Sequence, residues 1–279
     1  MASEKSKQAL LFRSTCTNFA PYFESKTIQP MGLFNIFGKK KSGEPASLFY
    51  NTDVHCHILP GVDHGSQDLV QSMEMLRAEL AMGINRVILT SHVTGDTFEN
   101  TPESLMAAFK VLQQAVADEG LPIELHVSAE YRLDDYWNTQ WEKGAVLPMP
   151  GNYLLLENSF LQERLDMDQF IYEVQTRGYR PILAHPERYA YYAQRHERLV
   201  KLHQVGVKFQ VNILSLCGYF GHGARDLAHW LAKEHMVDML GSDMHNIEHA
   251  MIIRESIGSK DWQRQLHLLA ANNINDRVC

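Results

Sequence analysis

The chain has 279 residues, 45% of them hydrophobic, and a formal net charge of -7. That is enough for one large α/β domain with a real core and leaves little for a second, since a barrel of alternating strands and helices takes about 250 residues. The negative balance excludes a general attraction for nucleic acid or anionic lipid, and no apolar run approaches the ~18 residues that span a bilayer.

Residues 1–30 are polar and unpatterned, and the stretch from Met31 to Lys41 reads as a second start followed by apolar, then basic residues. Residues 1–47 are expected to be a flexible leader. A peripheral membrane contact is the furthest role that its few aromatics and lysines support. Glu4 and Glu24 count against a transit peptide.

From residue 48 to residue 279 strands and helices alternate regularly. Leu48–Val54 reads as strand one, and Gln67–Met82 as a helix with Met73, Leu76 and Leu80 on one face. Gly83 stops that helix before strand two, Arg86–Thr90. Thr101 and Pro102 open the next helix as cap and first turn, with Leu105, Phe109, Leu112 and Val116 as its buried stripe. Strand three is Ile123–Ser128 and strand four Tyr153–Leu156. Helix Asp166–Arg177 precedes strand five, Pro181–Ala184, and helix Tyr191–Val205 precedes strand six, Val207–Val211. Helix Ala224–His235, strand seven at Val237–Leu240 and a last helix over Asp261–Asn272 complete the chain. Strands alternating with helices imply a parallel sheet with helices outside. Seven such units predict a distorted (β/α)7 barrel, with an open doubly wound sheet as the alternative.

Six of the seven strands end in an acidic residue or a histidine. The segments are Asp53-Val54-His55-Cys56-His57, Ser91-His92, Ala129-Glu130, Leu156-Glu157, Ala184-His185-Pro186-Glu187-Arg188 and Gly241-Ser242-Asp243-Met244-His245. Imidazole and carboxylate bind divalent metals, and barrel strand ends are where such ligands converge. An open sheet would not gather them, so closure is favoured. His55 and His57, two apart on a strand, share a face, whereas Cys56 between them points away and reads as a packing thiol. His64 follows in the loop Gly61–Gly65, and Asp243 and His245 repeat the two-residue spacing. With His92, Glu130, Glu157 and His185 these make a ligand set suited to two or three metal ions, carboxylates bridging. His126, His196, His203, His229 and His267 read as ordinary surface histidines. Cys16, Cys56, Cys217 and Cys279 form no C-x-x-C pair, which suits a reducing cytosol, and none has an arginine six positions later, so the loop of cysteine phosphatases is absent.

The ordered series Asp-x-His-x-His, Ser-His, Ala-Glu, His-Pro-Glu-Arg and Ser-Asp-x-His resembles the PHP (polymerase and histidinol phosphatase) family of trinuclear metal phosphoesterases. Residues 53–65, 185–189 and 242–246 are most similar to its capsular-polysaccharide branch of bacterial tyrosine phosphatases. The resemblance covers about residues 48–275 and implies the PHP form of the TIM-like barrel. It implies that His55, His57, Glu130 and Asp243 hold a first metal, that Glu130 bridges to a second held by Glu157 and His185, and that His64, His92 and His245 hold a third. Manganese is favoured over iron or zinc for this thiolate-free set. A metal-bound hydroxide would attack phosphorus, because coordination brings the pKa of water to roughly 7. Arg188 would clamp the phosphate with its planar fork, and His245 belongs with it to the catalytic set.

Two departures stand out. The branch has Asp-Asp-Gly where this chain has Asp63-His64-Gly65, so Asp63 is a second candidate for that ligand role. Its second arginine is missing, with Asn246-Ile247-Glu248-His249 in its place and His249 as a stand-in. The expected activity is a cytoplasmic, metal-dependent protein-tyrosine phosphatase acting on a bacterial tyrosine kinase of capsule or exopolysaccharide assembly, with no nucleic-acid partner. The alternatives are a small-molecule phosphatase of the histidinol-phosphate type and a catalytically weakened binding module.

Overall fold

Short aliphatic runs bounded by glycines and polar turns become strands, and the amphipathic stretches between them become helices. The computed structural model describes residues 47–278; the expected leader, residue 47 apart, lies outside the described residues. The strands are β1 (Thr52–Cys56), β2 (Arg86–Leu89), β3 (His92–Val93), β4 (Glu124–Val127), β5 (Glu130–Arg132), β6 (Tyr153–Glu157), β7 (Arg180–Ala184), β8 (Lys208–Asn212) and β9 (Met239–Gly241). The α-helices are α1 (Leu69–Ala81), α2 (Pro102–Glu119), α3 (Asp135–Lys143), α4 (Met167–Thr176), α5 (His196–Gln204), α6 (Ile213–Leu216), α7 (His222–Lys233), α8 (Ile247–Ile257) and α9 (Lys260–Ala270). No helix among the described residues is long and apolar enough to cross a membrane.

All ladders are parallel, in two sheets ordered β1-β2-β4 and β3-β5-β6-β7-β8-β9, which together curl into a half-barrel. The expected strands two and three each run on past a break, at Thr90-Ser91 and at Ser128-Ala129, and resume as β3 and β5. At the first break the Thr90 hydroxyl accepts from Cys56 N at 3.1 Å. The ladder therefore kinks without leaving that amide bare. Each resumed strand begins on a candidate ligand, His92 or Glu130.

The first and last strands also meet. Asp243 N donates to His55 O at 2.8 Å and His57 N to Met244 O at 2.9 Å. Asp53 reinforces this seam, accepting from His55 N and Ser242 N at 3.1 Å each and from Ser242 Oγ at 2.5 Å. Lower down, where β1 and β9 have no ladder between them, fully buried Asn275 takes its place. Its amide nitrogen donates to Thr52 O at 2.8 Å and Leu240 O at 2.7 Å, while its oxygen accepts from Leu240 N at 2.9 Å.

Several expected boundaries moved. Strand one starts later than Leu48 because Leu48 N is taken by Met82 O at the end of α1, at 2.9 Å. Helix α2 follows the sequence closely, with Thr101 and Ser104 forming a reciprocal cap and Leu105, Phe109, Leu112 and Val116 buried. Helix α5 begins at His196, not Tyr191, because 186–188 and 190–192 are spent in 3-10 turns. The polar helix α3 and the helix α8 were not anticipated. Both start on side-chain caps, Asp134 accepting from Trp137 N and Asn246 from His249 N, and α3 then buries Trp137 and Trp141.

Replacing Asn275 by Leu leaves three buried backbone groups unpaired, each costing about 1–3 kcal/mol. Asn275→Leu is expected to lower unfolding stability by at least about 2 kcal/mol in urea titration.

Candidate metal centre

His55 in β1 and His57, one residue past its end, turn their rings to one side, and both are fully buried. Each ring is fixed through Nδ1. His55 Nδ1 donates to Gln210 Oε1 at 2.7 Å, and His57 Nδ1 to Asp63 Oδ2 at 2.9 Å. With Nδ1 committed, both rings turn Nε2 toward the cup, 3.2 Å apart. Glu130 Oε2 lies 3.4 Å from each of these nitrogens, and Asp243 Oδ1 lies 3.4 Å from His55 Nε2 and 3.2 Å from His57 Nε2. A cation with ligand bonds of about 2.0–2.1 Å in tetrahedral array spaces its ligand atoms about 3.4 Å apart. The five separations between the imidazole nitrogens and from them to the two carboxylate oxygens already have that spacing.

The other candidates extend the cluster in two directions. Glu130 Oε1 accepts from His185 Nε2 at 2.9 Å, and Glu157 Oε1 stands 3.7 Å from the same nitrogen. On the other side His92 Nδ1 is 3.0 Å from Glu130 Oε2. That pair is close but not aligned for a hydrogen bond, and neither atom has another partner. His245 stacks on His57 with ring centroids 3.9 Å apart, its Nδ1 donating to Asp243 O and its buried Nε2 left without a partner. Buried polar atoms are nearly always paired. Orphaned nitrogens and oxygens that point at shared spaces fit a set of divalent cations. Four overlapping triads have ligand atoms within 4.8 Å of one another: His57, His92 and His245; His55, His57 and Asp243; His55, Glu130 and His185; His92, Glu130 and Glu157.

His64 is in none of these triads. It is exposed, its ring stacked near His92 and His245 at 4.8 Å and 4.5 Å. Asp63 is buried instead, and it acts on His57 and the loop backbone, accepting from Gly65 N at 2.9 Å and His92 N at 3.0 Å. Gly65 has to be glycine, since a Cβ there would overlap the His57 carbonyl. His185 and Asp243 have left-handed backbones, φ 32° and 49°. Non-glycine residues hold that conformation only where surrounding contacts impose it.

Electrostatics point the same way. Burial alone would favour neutral histidine, but the carboxylates of Glu130 and Asp243 overcome it and push the pKa of His55 up to about 9. Burial likewise opposes charge on Glu130, and His55 and His92 hold it well below the usual carboxylate range all the same. Asp243 is held down against burial by His55, His57, His245 and Arg188. A cation held by these imidazoles would displace their Nε2 protons, so its binding would release protons.

Arg188 lies at the edge of this cup. Its Nη1 donates to Asp243 Oδ2 at 2.9 Å. Its guanidinium lies over two aromatic rings, 4.1 Å from the Phe220 centroid and 5.1 Å from that of Phe160. Asn212 Nδ2 donates to the same Asp243 oxygen at 2.6 Å, and Gln210 Nε2 donates to Asn212 Oδ1 at 2.8 Å. Glu187, beside Arg188, turns inward to accept from Asn212 N and Ser215 Oγ. His249 supports the loop, accepting from His245 N at 3.4 Å and meeting Tyr219 Oη at 3.2 Å. Gln210, Arg132 and Phe160 escaped the sequence reading. Gln210 had one signal, its i, i+2 spacing from Asn212. Arg132, which holds Glu157 Oε2 at 3.0 Å, had the same spacing from Glu130.

The family model for capsular polysaccharide synthesis proteins of the CpsB/CapC type matches residues 51–253. Tyrosine-protein phosphatase YwqE of Bacillus subtilis (strain 168) is 30% identical over 197 residues, 70% of this chain and 78% of its own. Tyrosine-protein phosphatase CpsB of Streptococcus pneumoniae is 26% identical over 204 residues, 70% of this chain and 83% of its own. A solved structure from work on these two proteins, described as metal-dependent tyrosine phosphatases, superposes with a TM-score of 0.66 at 28% identity, covering 80% of this chain and 95% of that one. The chain belongs to the CpsB/CapC family of capsular polysaccharide synthesis proteins.

Proposed function

We propose that this protein is a metal-dependent protein-tyrosine phosphatase. The observation that carries the reading is the cup itself: buried imidazoles and carboxylates with orphaned atoms at ligand spacing, beside an arginine at its edge. In this reading His55, His57, Glu130 and Asp243 hold one cation. Glu130 reaches a second with Glu157 and His185, and His92 and His245 hold a third with His64 at its outer side. Two or three ions are bound per chain, and manganese suits the nitrogen and oxygen donors, with iron or zinc as the other choices. Bound cations supply charge for the phosphoryl oxygens and for activating water.

The chain's own groups do the rest. Gln210 and Asp63 fix the two imidazoles by accepting hydrogen bonds from their Nδ1 atoms, a second layer that orients metal ligands. Arg188, already aligned by Asp243 and lying over two rings, has remaining donors for a planar, bidentate hold on phosphate. His245 completes the catalytic set with its unpartnered Nε2. Residues 48–279 are read as the phosphoesterase domain, a distorted (β/α)7 TIM-like barrel of the PHP type, and residues 1–47 as its leader. What supports the barrel is that β2 with β3 and β4 with β5 count as single broken strands, leaving seven positions around the seam. Leu161 and Leu165, 91% and 93% exposed in the loop after β6, suit a protein tail better than a small metabolite. The substrate is read as a phosphotyrosine protein, a tyrosine kinase of polysaccharide assembly, met in the cytoplasm.

Activity is expected on a phosphotyrosine peptide and not on histidinol phosphate; chelation should abolish it and manganese restore it, with two or three ions per chain by plasma mass spectrometry. Equal turnover of both substrates would refute the assignment. Asp63→Asn should weaken metal affinity about 10–100-fold in equilibrium titration. Arg188→Ala should lower kcat/KM on the peptide about 100-fold, the scale of losing one preorganised donor, with metal content retained.

A further inference from the structure

Phe160 is a large apolar side chain left 38% exposed at the edge of a buried polar cup. It is held there firmly. The two residues before it are pinned by the tyrosines that follow Arg188, since Asn158 N donates to Tyr189 Oη at 3.0 Å and Tyr191 Oη donates to Ser159 O at 3.2 Å. The Phe160 ring lies nearly parallel to His185, centroids 5.9 Å apart at 13°, and leans on Tyr189 at 5.4 Å. Two guanidinium groups approach it, Arg132 at 5.6 Å and Arg188 at 5.1 Å from its centroid. Both arginines are tied to candidate ligands, Arg132 to Glu157 and Arg188 to Asp243. One aromatic ring thus touches both cations on this rim and the imidazole of a third ligand.

That placement has a chemical consequence. A phosphate ester held by Arg188 over the cup projects its organic group outward past the rim. The Phe160 ring stands there, with both guanidinium groups over it, the two residues before it held by hydrogen bonds, and 38% of it left exposed for a ring on the substrate to meet. Part-buried Phe220 adds a second ring to the same guanidinium, 4.1 Å from its centroid. Aromatic pairs gain about 0.5–1.5 kcal/mol beyond the area they bury; an alkyl ester has no ring to offer.

We infer that Phe160 is a specificity-determining residue that stacks on the phenyl ring of the substrate and so selects aryl over alkyl phosphate esters. This rests on the phosphatase reading above. Phe160 has no part in bond cleavage. Its contribution is to binding, realised in KM and in the affinity of ring-bearing inhibitors.

The test uses the full chain loaded with manganese, as wild type, Phe160→Ala, Phe160→Leu and Phe160→Tyr, each checked for metal content and melting temperature. A phosphotyrosine peptide is the substrate, and phenylphosphonate and methylphosphonate are the competitive inhibitors. Phe160→Ala and Phe160→Leu should raise KM and the phenylphosphonate inhibition constant about five- to tenfold, the equivalent of one aromatic pair. kcat and the methylphosphonate constant should stay within twofold, and Phe160→Tyr should restore wild-type values. If the wild type hydrolyses the peptide but both inhibitors weaken equally, or neither does, the role of Phe160 is overturned and the phosphatase reading stands. If the manganese-loaded wild type does not hydrolyse the peptide, both fall.

Discussion

The arrangement of the cup depends on one constraint: each of the two histidines at the end of β1 must donate its Nδ1–H to a fixed acceptor. Only then does Nε2 face the other ligands. For His55 the acceptor is the amide of Gln210, which in turn donates to Asn212, which donates to Asp243, whose other oxygen returns to His55. The circuit starts and ends on the same imidazole and crosses three strand ends. Amide side chains suit this role because each carries both an acceptor and donors. A carboxylate at 210 could accept from His55 but could not pass a donor on to Asn212.

The second constraint is electrostatic. Several carboxylates and imidazoles are removed from water here, where an isolated charge is costly. The cluster is tolerable because every anion faces at least one cation or proton. Asp243 is approached by His55, His57, Arg188 and Asn212, and Glu130 by His55, His57, His92 and His185. The left-handed backbones at His185 and Asp243 belong to the same economy of space. At Asp243 the turn sends the backbone amide to His55 O and both carboxylate oxygens into the cup.

Much of this was legible in the sequence because two rules are local. Apolar runs of strand length located seven of the nine strands, and the i, i+2 rule brought together His55 with His57 and Asp243 with His245. The capping residues Thr101 and Pro102 gave the start of α2. What escaped depends on partners far away in the chain. The breaks that create β3 and β5 come from cross-strand hydrogen bonding, and nothing in Thr90-Ser91 or Ser128-Ala129 announces them. Helix α3 reads as polar loop until Trp137 and Trp141 are seen packed on Phe170. Asp63 and His64 exchanged emphasis for the same reason. The sequence offers both as ligands, and only the turn around Gly65 shows that the first braces His57 while the second lies at the rim.

The bond between residue 275 and Thr52, 223 positions apart, has a temporal side. Loop-closure entropy must be met before contacts of such separation reward it, so they form late. On the ribosome His55 and His57 emerge long before Asp243, His245 and Asn275. The staple that joins the first strand to the last is therefore among the last parts of the domain to be made, and the seam stays unsealed at its lower end until residue 275 has been translated.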